Sequence, residues 1–253
     1  MMSSPRPWRA HSRASRTYGD LQEEGGTSRL GLHAMLFEDR FQAGRELASK
    51  LAEFRNRDDT VVLALPRGGV PVGYEVAKAI HAPLDIFVVR KLGVPGQEEL
   101  AMGALASGGI TVLNRDVVER LAISPETIKA ASSREERELE RREREYRDGR
   151  PAANIQGRTV ILVDDGLATG SSMRVAAAAL RKKFPAQIVV AVPVASPATC
   201  EEFEAEVDRV ICAVTPEPFL AVGLWYRNFS QTTDEEVREL LRRAAESSSP
   251  KAA

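Results

Sequence analysis

Two adjacent carboxylates, Asp164 and Asp165, follow an apolar run at 160–163 and precede a loop of small, mostly hydroxyl-bearing residues at 168–172. The apolar run predicts a buried strand, which would place both carboxylates at the edge of a sheet. The loop leads into a segment with helical spacing, and the amides at a helix start are unpaired and bind anions readily. The carboxylates suit sugar hydroxyls or a hydrated Mg²⁺. Together these features predict a ligand with phosphate at one end and vicinal hydroxyls at the other, as in a ribose 5-phosphate.

The loop after the acidic pair supplies hydroxyl donors and a glycine that permits close approach of a ligand to the backbone. Its residues are Ala168, Thr169, Gly170, Ser171 and Ser172. One alternative is a phospho-acceptor or dinucleotide-binding turn, because an Asp-Asp pair at a strand end also occurs in response-regulator receivers. Receivers lack a Thr-Gly-Ser-Ser loop immediately after the pair, so a sugar-phosphate site is the favoured interpretation.

A second glycine-containing loop, 66–69, follows the apolar run 60–65. Consecutive glycines at Gly68 and Gly69 allow a backbone conformation that directs several N–H groups at one anion. Arg67 adds a forked cation suited to phosphate. The alternative is a simple turn, but a position at a strand end favours an anion site.

Arg90 and Lys91 end a second predicted strand, 84–89. Two adjacent cations at a strand end are costly to bury without an anionic partner, which makes Lys91, and after it Arg90, a candidate for binding an anion. The alternative is a pair of side chains that faces solvent.

Aromatic residues are sparse, at 6% of the chain, yet three of them fall between 225 and 229. Trp225, Tyr226 and Phe229 could supply a stacking face for a flat ring. Packing in a core is the favoured alternative, because most aromatic side chains serve that purpose.

Strands that alternate with helices predict an α/β fold with a mostly parallel central sheet flanked by helices. The predicted strands are 60–65, 84–89, 159–163, 187–192 and 209–214. The intervening helices are predicted at 70–81, 172–184 and 197–206. Ligands of such sheets bind beyond the carboxyl ends of the strands, which is where the acidic pair, the glycine loop and the basic pair would all lie.

Between the second and third of these strands the pattern turns irregular and glycine-rich, and a charged helical arm follows. Short strands at 102–106 and 110–113 flank Gly108 and Gly109, which predicts a hairpin. The arm, 125–148, follows a serine cap and begins with proline, and it carries Glu/Arg pairs four residues apart. It is either a lid or partner helix or, as we favour, a solvated and ion-paired helix.

The chain of 253 residues can form one α/β domain, which we predict at 35–245, with a disordered extension at 1–34 and a flexible tail at 246–253. A net charge of −1 provides no global field that favours nucleic acid, and no apolar run approaches the roughly 18 residues that span a bilayer. The two cysteines, Cys200 and Cys212, show no metal or disulfide spacing and predict reduced thiols in a cytoplasmic protein.

The segment 160–172 resembles the signature of type I phosphoribosyltransferases: four apolar residues, two acids, a short turn, then Thr-Gly and small hydroxyls. The resemblance implies that Asp164 and Asp165 hold the ribose hydroxyls and that 168–172 bind the 5′-phosphate. It implies a pyrophosphate loop at 67–69, which in this family often contains a non-proline cis peptide. It also implies that a basic residue at the second strand end, Lys91 or Arg90, lies against the pyrophosphate. The family adds a small variable hood, usually built from terminal segments, that contacts the acceptor.

The reaction implied by this resemblance is transfer of a 5-phosphoribosyl group from 5-phosphoribosyl 1-diphosphate to a nitrogen acceptor such as a nucleobase. Mg²⁺ is the implied cofactor, held by Asp164 and Asp165 through water or ribose hydroxyls, with Arg67 and Lys91 as further catalytic residues. Ala168 stands where hypoxanthine-guanine enzymes usually carry an acid, so the acceptor stays open. The alternative is a module of the same fold that senses the diphosphate or a nucleotide without turnover. Membrane and nucleic-acid partners are not expected, and a homodimer is left open.

Overall fold

Eight strands and seven α-helices make up the part of the chain that the computed structural model describes, residues 37–248. The strands are β1 (Thr60–Ala64), β2 (Leu84–Ile86), β3 (Val89–Val94), β4 (Gln97–Ala106), β5 (Ile110–Leu113), β6 (Thr159–Val163), β7 (Gln187–Val194) and β8 (Arg209–Val214). The helices are α1 (Arg40–Ser49), α2 (Gly69–Ile80), α3 (Arg115–Arg120), α4 (Pro125–Arg147), α5 (Ser171–Arg181), α6 (Pro197–Glu204) and α7 (Asp234–Ser248). Short 3-10 helices lie at Ala52–Phe54 and Val222–Trp225.

The central sheet has the order β2-β1-β6-β7-β8, and every neighbouring pair of strands is parallel. Its strands are apolar throughout because both faces are covered. In β1, for example, Val61 and Leu63 pack with α5 on one face, whereas Val62 packs with α1 and α2 on the other. The predicted mostly parallel sheet flanked by helices is confirmed, and β6, which delivers the acidic pair, lies at its centre.

A separate antiparallel sheet, β3-β4-β5, contains the predicted hairpin; this sheet is called the hood below. The prediction of a single strand at 84–89 is wrong, because β2 ends at Ile86 and the chain then enters the second sheet. Arg90 and Lys91 therefore do not end a strand of the central sheet but lie inside β3.

The passage between the two sheets takes place at Phe87 and Val88. Phe87 donates its amide to Ala64 of β1 at 2.9 Å, whereas the carbonyl of Val88 accepts the amide of Ser107, also at 2.9 Å. Both residues are apolar and buried. The chain therefore passes from one sheet to the other inside a continuous apolar run, and the sequence gives no sign of the change. Farther on, Gly108 and Gly109 make the predicted hairpin turn, with φ of +82° and +71°.

The charged helical arm is α4, and it is integrated into the fold. Its N-cap is Ser124, as predicted, and its apolar stripe is buried at Leu139 and Tyr146. The stripe packs with α7 and with the hood. At its carboxyl end Arg147 donates through Nε to Asp85 at 2.8 Å, an ion pair in which both side chains are nearly inaccessible to solvent. The helix is thus ion-paired as favoured, but one face belongs to the core.

Cys200 in α6 and Cys212 in β8 are joined as a disulfide. The prediction of two reduced thiols is therefore wrong. After a short connection β8 runs back beside α6, and both side chains lie against the same core cluster, which brings them face to face. A separation of 12 residues gives no signal of this pairing, and cysteine usage no longer supports the cytoplasmic prediction.

Two predicted boundaries lie at the limits of the described residues. The extension at 1–34 lies outside them, and so does the part of the predicted tail from 249 onward. The last helix continues to Ser248, three residues beyond the predicted domain end at 245. Within residues 37–248, no helix is long and apolar enough to cross a membrane.

Candidate ligand site at the carboxyl edge of the sheet

The acidic pair lies directly after β6, at the carboxyl edge of the central sheet. The two side chains face the same loop, since a Cβ on Gly68 would meet the carboxylate of Asp165 and a Cβ on Gly69 would lie 3.2 Å from Oδ1 of Asp164. Oδ1 of Asp164 also accepts the amide of Asp165 at 2.9 Å. Oδ2 of Asp165 accepts a hydrogen bond from Nε of Arg40 at 2.8 Å, and the two side chains are 16% and 11% exposed. A largely enclosed carboxylate pair with one counter-charge is therefore present at the predicted position.

The acidic pair is electrostatically unfavourable while both groups are charged. Burial, and next the charge of Asp165, raise the pKa of Asp164 well above its usual value. Burial also raises the pKa of Asp165, although the Arg40 guanidinium opposes that shift. A second cation beside the pair would favour its ionised form, because an opposite charge at close range stabilises a carboxylate.

The glycine loop 66–69 packs directly on the acidic pair. A side chain at Gly68 would collide with the carboxylate of Asp165, and a Cβ at Gly69 would lie 2.8 Å from the carbonyl oxygen of Val163. The glycines are thus required for close packing, and neither has the positive φ on which the predicted anion nest relied. The Pro66–Arg67 peptide is cis, as the family resemblance implied.

Part of the predicted anion nest is used inside the loop itself. The amide of Gly69 donates to Leu65 at 3.0 Å. Among residues 37–248, no group accepts the amides of Arg67 or Gly68, so these two remain for a ligand. The Arg67 side chain is about one-third exposed and lies 3.8 Å from Asp234 at the start of α7.

The loop 168–172 presents free amides, because its carbonyls are fixed to the body of the protein. The hydroxyl of Thr199 donates to the carbonyl of Ala168 at 2.8 Å, and Arg174 donates to the carbonyl of Thr169. The carbonyl and the N–H of one peptide point in opposite directions, so these two bonds turn the following amides outward. In the described part of the chain, no protein group accepts an amide from 168–173.

Gly170 is the residue at which the loop becomes a helix. Its φ is +69°, a left-handed conformation that favours glycine, and it caps α5 without a side-chain hydrogen bond. A Cβ there would also meet the ring of Phe203 in α6. Glycine was predicted here for close approach of a ligand, and the structure adds two further reasons: the positive φ and the contact with Phe203.

The predicted basic residues are engaged with acidic side chains of the hood and arm. Arg90 donates to Glu135 of α4 at 2.7 Å and lies 3.9 Å from Glu138. Lys91 is half exposed, and its ammonium lies 3.4 Å from Glu99 across the β3–β4 hairpin. No hydrogen bond or ion pair among residues 37–248 joins either cation to the two loops. The structure thus brings together 66–69 and 164–172, and it leaves Arg90 and Lys91 on the neighbouring hood.

The three clustered aromatic residues divide between packing and exposure. Trp225 and Tyr226 are each 6% exposed and pack in one cluster with Phe37, so packing, the favoured alternative, describes them. Phe229 is 38% exposed, and the guanidinium of Arg40 lies over its ring at 4.0 Å. Only Phe229 retains the exposure that a stacking face needs.

Sequence reasoning missed three residues that hold the site together and the role of a fourth. Arg40 binds Asp165 across 125 positions of the chain. Tyr226, which the sequence offered for stacking or packing, also donates its hydroxyl to the carbonyl of Asp165. Arg174 and Thr199 fix the loop from the outside. Each is an ordinary helix or core residue in its local pattern, and only the fold makes it part of the site.

This geometry can be compared with known proteins. The profile described as phosphoribosyl transferase domain matches residues 35–224, three-quarters of the chain. The chain belongs to this family.

Relatives of known description agree with that membership. A Mycobacterium tuberculosis protein (strain ATCC 25618 / H37Rv), named "Putative phosphoribosyl transferase Rv0571c", is 46% identical over 209 residues, which is 83% of this chain and 47% of that protein. A protein from strain CDC 1551 / Oshkosh of the same organism, likewise named a phosphoribosyl transferase, matches equally. The present chain therefore spans about half the length of these phosphoribosyl transferase relatives.

A solved structure supports the fold. The protein TT1426 from Thermus thermophilus is 41% identical, with a TM-score of 0.72 over 83% of this chain and 99% of that one. The predicted resemblance to phosphoribosyltransferases and the predicted fold class are both confirmed by these comparisons.

Proposed function

We propose that the protein transfers the 5-phosphoribosyl group of 5-phosphoribosyl 1-diphosphate to a nitrogen acceptor and releases pyrophosphate. The observation that carries this proposal is the meeting of three groups at one sheet edge. They are the paired carboxylates, the outward amides of 168–173, and the loop 66–69, which packs on the carboxylates. A phosphate, a diol and a diphosphate on one small molecule would match these groups.

The donor would be held at three points. The amides and hydroxyls of Ala168, Thr169, Gly170, Ser171 and Ser172 would bind the 5′-phosphate at the start of α5. Asp164 and Asp165 would accept hydrogen bonds from the ribose hydroxyls. Arg67, the free amides of the glycine loop, and Lys91 from the hood would bind the diphosphate, whose negative charge increases as it leaves.

The acidic pair fits a magnesium site that is completed by substrate. Among residues 37–248 no cluster of three or more metal-binding side chains occurs, but Mg²⁺ is commonly held by one or two carboxylates together with substrate oxygens and water. Asp164 and Asp165 would hold it through water or the ribose hydroxyls, and their raised pKa values show how unfavourable two unneutralised charges are there. When bound, the ion would act as a Lewis acid on the diphosphate and would orient the donor.

The reaction would break the bond between the anomeric carbon and the diphosphate oxygen, with the bonding electrons leaving on pyrophosphate. The ribose ring then carries oxocarbenium-like positive charge, as in other glycosyl transfers. An acceptor nitrogen donates its lone pair to that carbon and loses its proton to solvent or to a nearby base. The enclosed carboxylates beside the ribose would stabilise the positive charge.

A nucleobase is the proposed acceptor class, which would place the reaction in base salvage in the cytoplasm. The segment after β8 carries the exposed apolar side chains Leu220, Leu224 and Phe229. It lies beside the acidic loop, because a Cβ at Gly166 would collide with Val222. A flat, partly apolar base fits such a surface. Ala168 provides no acid for base recognition, so a purine without a 6-oxo group is an acceptor to test first.

The test is pyrophosphate release from 5-phosphoribosyl 1-diphosphate and Mg²⁺ with a panel of purines and pyrimidines. Wild-type protein should release pyrophosphate with at least one base. Asp164→Asn and Asp165→Asn should each remove most of that activity, while the exposed Asp58→Asn, at the opposite edge of the sheet, should keep it. Donor binding without release for any base would instead favour a sensor of the donor. Phosphorylation of Asp164 or Asp165 by acetyl phosphate would favour a phospho-acceptor.

A further inference from the structure

Arg40 is held at three sides within the candidate site. Its side chain is 11% exposed, and Nε donates to Asp165 at 2.8 Å. Nη1 donates to the carbonyl of Ser230 at 2.7 Å, and the guanidinium plane lies over Phe229. Because a carboxylate, a carbonyl and a ring fix the group together, it is already oriented before any ligand arrives.

The position of Arg40 relates it to the proposed diphosphate loop. A Cβ placed on Gly68 would lie 3.2 Å from Nε of Arg40, so the guanidinium lies against that loop as well as against Asp165. It therefore lies beside both the group that would bind the ribose and the loop that would bind the diphosphate, at the place where these two pack together. The anomeric carbon of the donor joins these same two parts of the ligand.

Arg40 also has hydrogen-bonding capacity to spare. Its Nη2 group donates to no residue in the described part of the chain, 37–248. A guanidinium with a free N–H pair beside an anion loop suits phosphate oxygens, to which arginine donates in a forked geometry. Among residues 37–248, Nη2 of Arg40 is not one of the buried atoms without a partner, so it is open to solvent and therefore to a ligand.

We propose that Arg40 is a donor-binding residue: Nη2 donates to the diphosphate of 5-phosphoribosyl 1-diphosphate while Nε stays on Asp165. This inference rests on the proposed function and adds to it a residue from α1. The arrangement makes one side chain contact the diphosphate and position the carboxylate that holds the ribose.

The experiment compares two ligands that differ only at the anomeric carbon. Binding of 5-phosphoribosyl 1-diphosphate and of ribose 5-phosphate, both with Mg²⁺, is measured by calorimetry. Arg40→Met should weaken the diphosphate ligand by roughly 10- to 100-fold more than ribose 5-phosphate, the range expected for charged hydrogen bonds. Arg45→Met is the matched control in the same helix, since Arg45 is 56% exposed and lies 3.6 Å from Glu75, away from the acidic pair. It should leave both affinities unchanged.

Arg40→Lys guards against loss of folding in the methionine variant. Lysine keeps the charge but offers one nitrogen in place of the three that are spread over the guanidinium, so it should also lower the affinity ratio, by a smaller factor. Equal weakening of both ligands, or an unchanged ratio in the lysine variant, would overturn the role of Arg40 but not the proposed function. If wild-type protein fails to bind the diphosphate ligand, both proposals are overturned.

Discussion

The hydroxyl of Thr199 in α6 donates to the carbonyl of Ala168 in the proposed phosphate loop, at 2.8 Å. Ser196 supports that hydroxyl, since its own hydroxyl donates to Thr199 at 2.7 Å. The ring of Phe203, one turn farther along the helix, lies under Gly170. α6 is therefore the support on which the loop rests, although it carries no residue that would touch the ligand.

Thr199→Val should weaken donor binding without contact with the donor. The part-buried carbonyl of Ala168 loses its partner, so the loop is less well fixed with its amides outward. We expect the free energy of unfolding to fall by about 1 kcal/mol and the KM for the donor to rise by roughly fivefold. Urea titration and initial rates measure the two effects. Thr199→Ser keeps the hydroxyl and should behave as wild type; the same KM rise in both variants would show that the hydrogen bond is not the cause.

Gly170→Ala should destabilise the fold even without ligand. The substitution places a side chain at a φ of +69° and against Phe203, and these are separable costs. We expect a loss of about 1–3 kcal/mol in the free energy of unfolding, read from urea titration.

A double variant separates the two costs at Gly170. Gly170→Ala combined with Phe203→Leu removes the ring contact but not the backbone strain, so it should be less destabilised than the sum of the two single variants. Strict additivity would show that the ring contact contributes nothing.

Asp164→Asn should stabilise the free protein while it impairs donor use. Burial and the neighbouring Asp165 raise the pKa of Asp164 in the folded state. An acid with a raised folded pKa binds its proton more tightly when folded, so its stabilising contribution is present at low pH and is lost as pH rises through that folded pKa. At pH 7 and above, the neutral asparagine should therefore give a higher free energy of unfolding than aspartate.

The pH dependence provides the check on this assignment. The stability advantage of Asp164→Asn over wild type should grow as pH rises through the raised pKa of Asp164 and should shrink toward pH 4, in urea titrations without Mg²⁺. An advantage that is constant with pH would contradict the electrostatic explanation, because the wild-type protein titrates at position 164 and the variant does not.

Lys91→Met should affect turnover more than stability. Lys91 is half exposed and its one acidic partner among the described residues is Glu99, so its removal should leave the free energy of unfolding nearly unchanged. If the hood brings Lys91 to the departing diphosphate, kcat should fall by roughly 100-fold. Glu99→Gln is the matched control, since it removes the ion pair but keeps the ammonium, and it should not lower kcat. Unchanged kcat in Lys91→Met would remove Lys91 from the catalytic set.

The parts of the site that are contiguous in sequence could be predicted from sequence. The bounds of β6 and β8 agree with prediction, and the loop after β6 was recognised because strand, acids and hydroxyls follow one another directly. Loop 66–69 lies directly after β1 for the same reason, although its glycines pack closely on the acidic pair and have no positive φ.

The remaining parts depend on contacts that no local pattern contains. Arg40 lies on a short helix whose apolar face explains its pattern fully, so nothing marks the arginine as a partner of Asp165. The switch from β2 to β3 occurs inside one apolar run, which displaced Arg90 and Lys91 from the central sheet. The disulfide pairs two cysteines that become neighbours only after β8 lies beside α6.

The hydrogen bonds between Phe37 and the region after β8 have a consequence for the order in which the site forms during synthesis. Phe37 donates its amide to Trp225 and accepts the amide of Arg227, so the first described residues are hydrogen-bonded to the segment that follows β8. Arg40 then reaches Asp165 and Ser230 together. A polypeptide that stops short of residue 230 lacks the carbonyl that Arg40 binds, even if its central sheet has formed. The donor would therefore bind tightly only after synthesis has passed the last strand, β8, because the segment after β8 supplies a group that holds Arg40 in place.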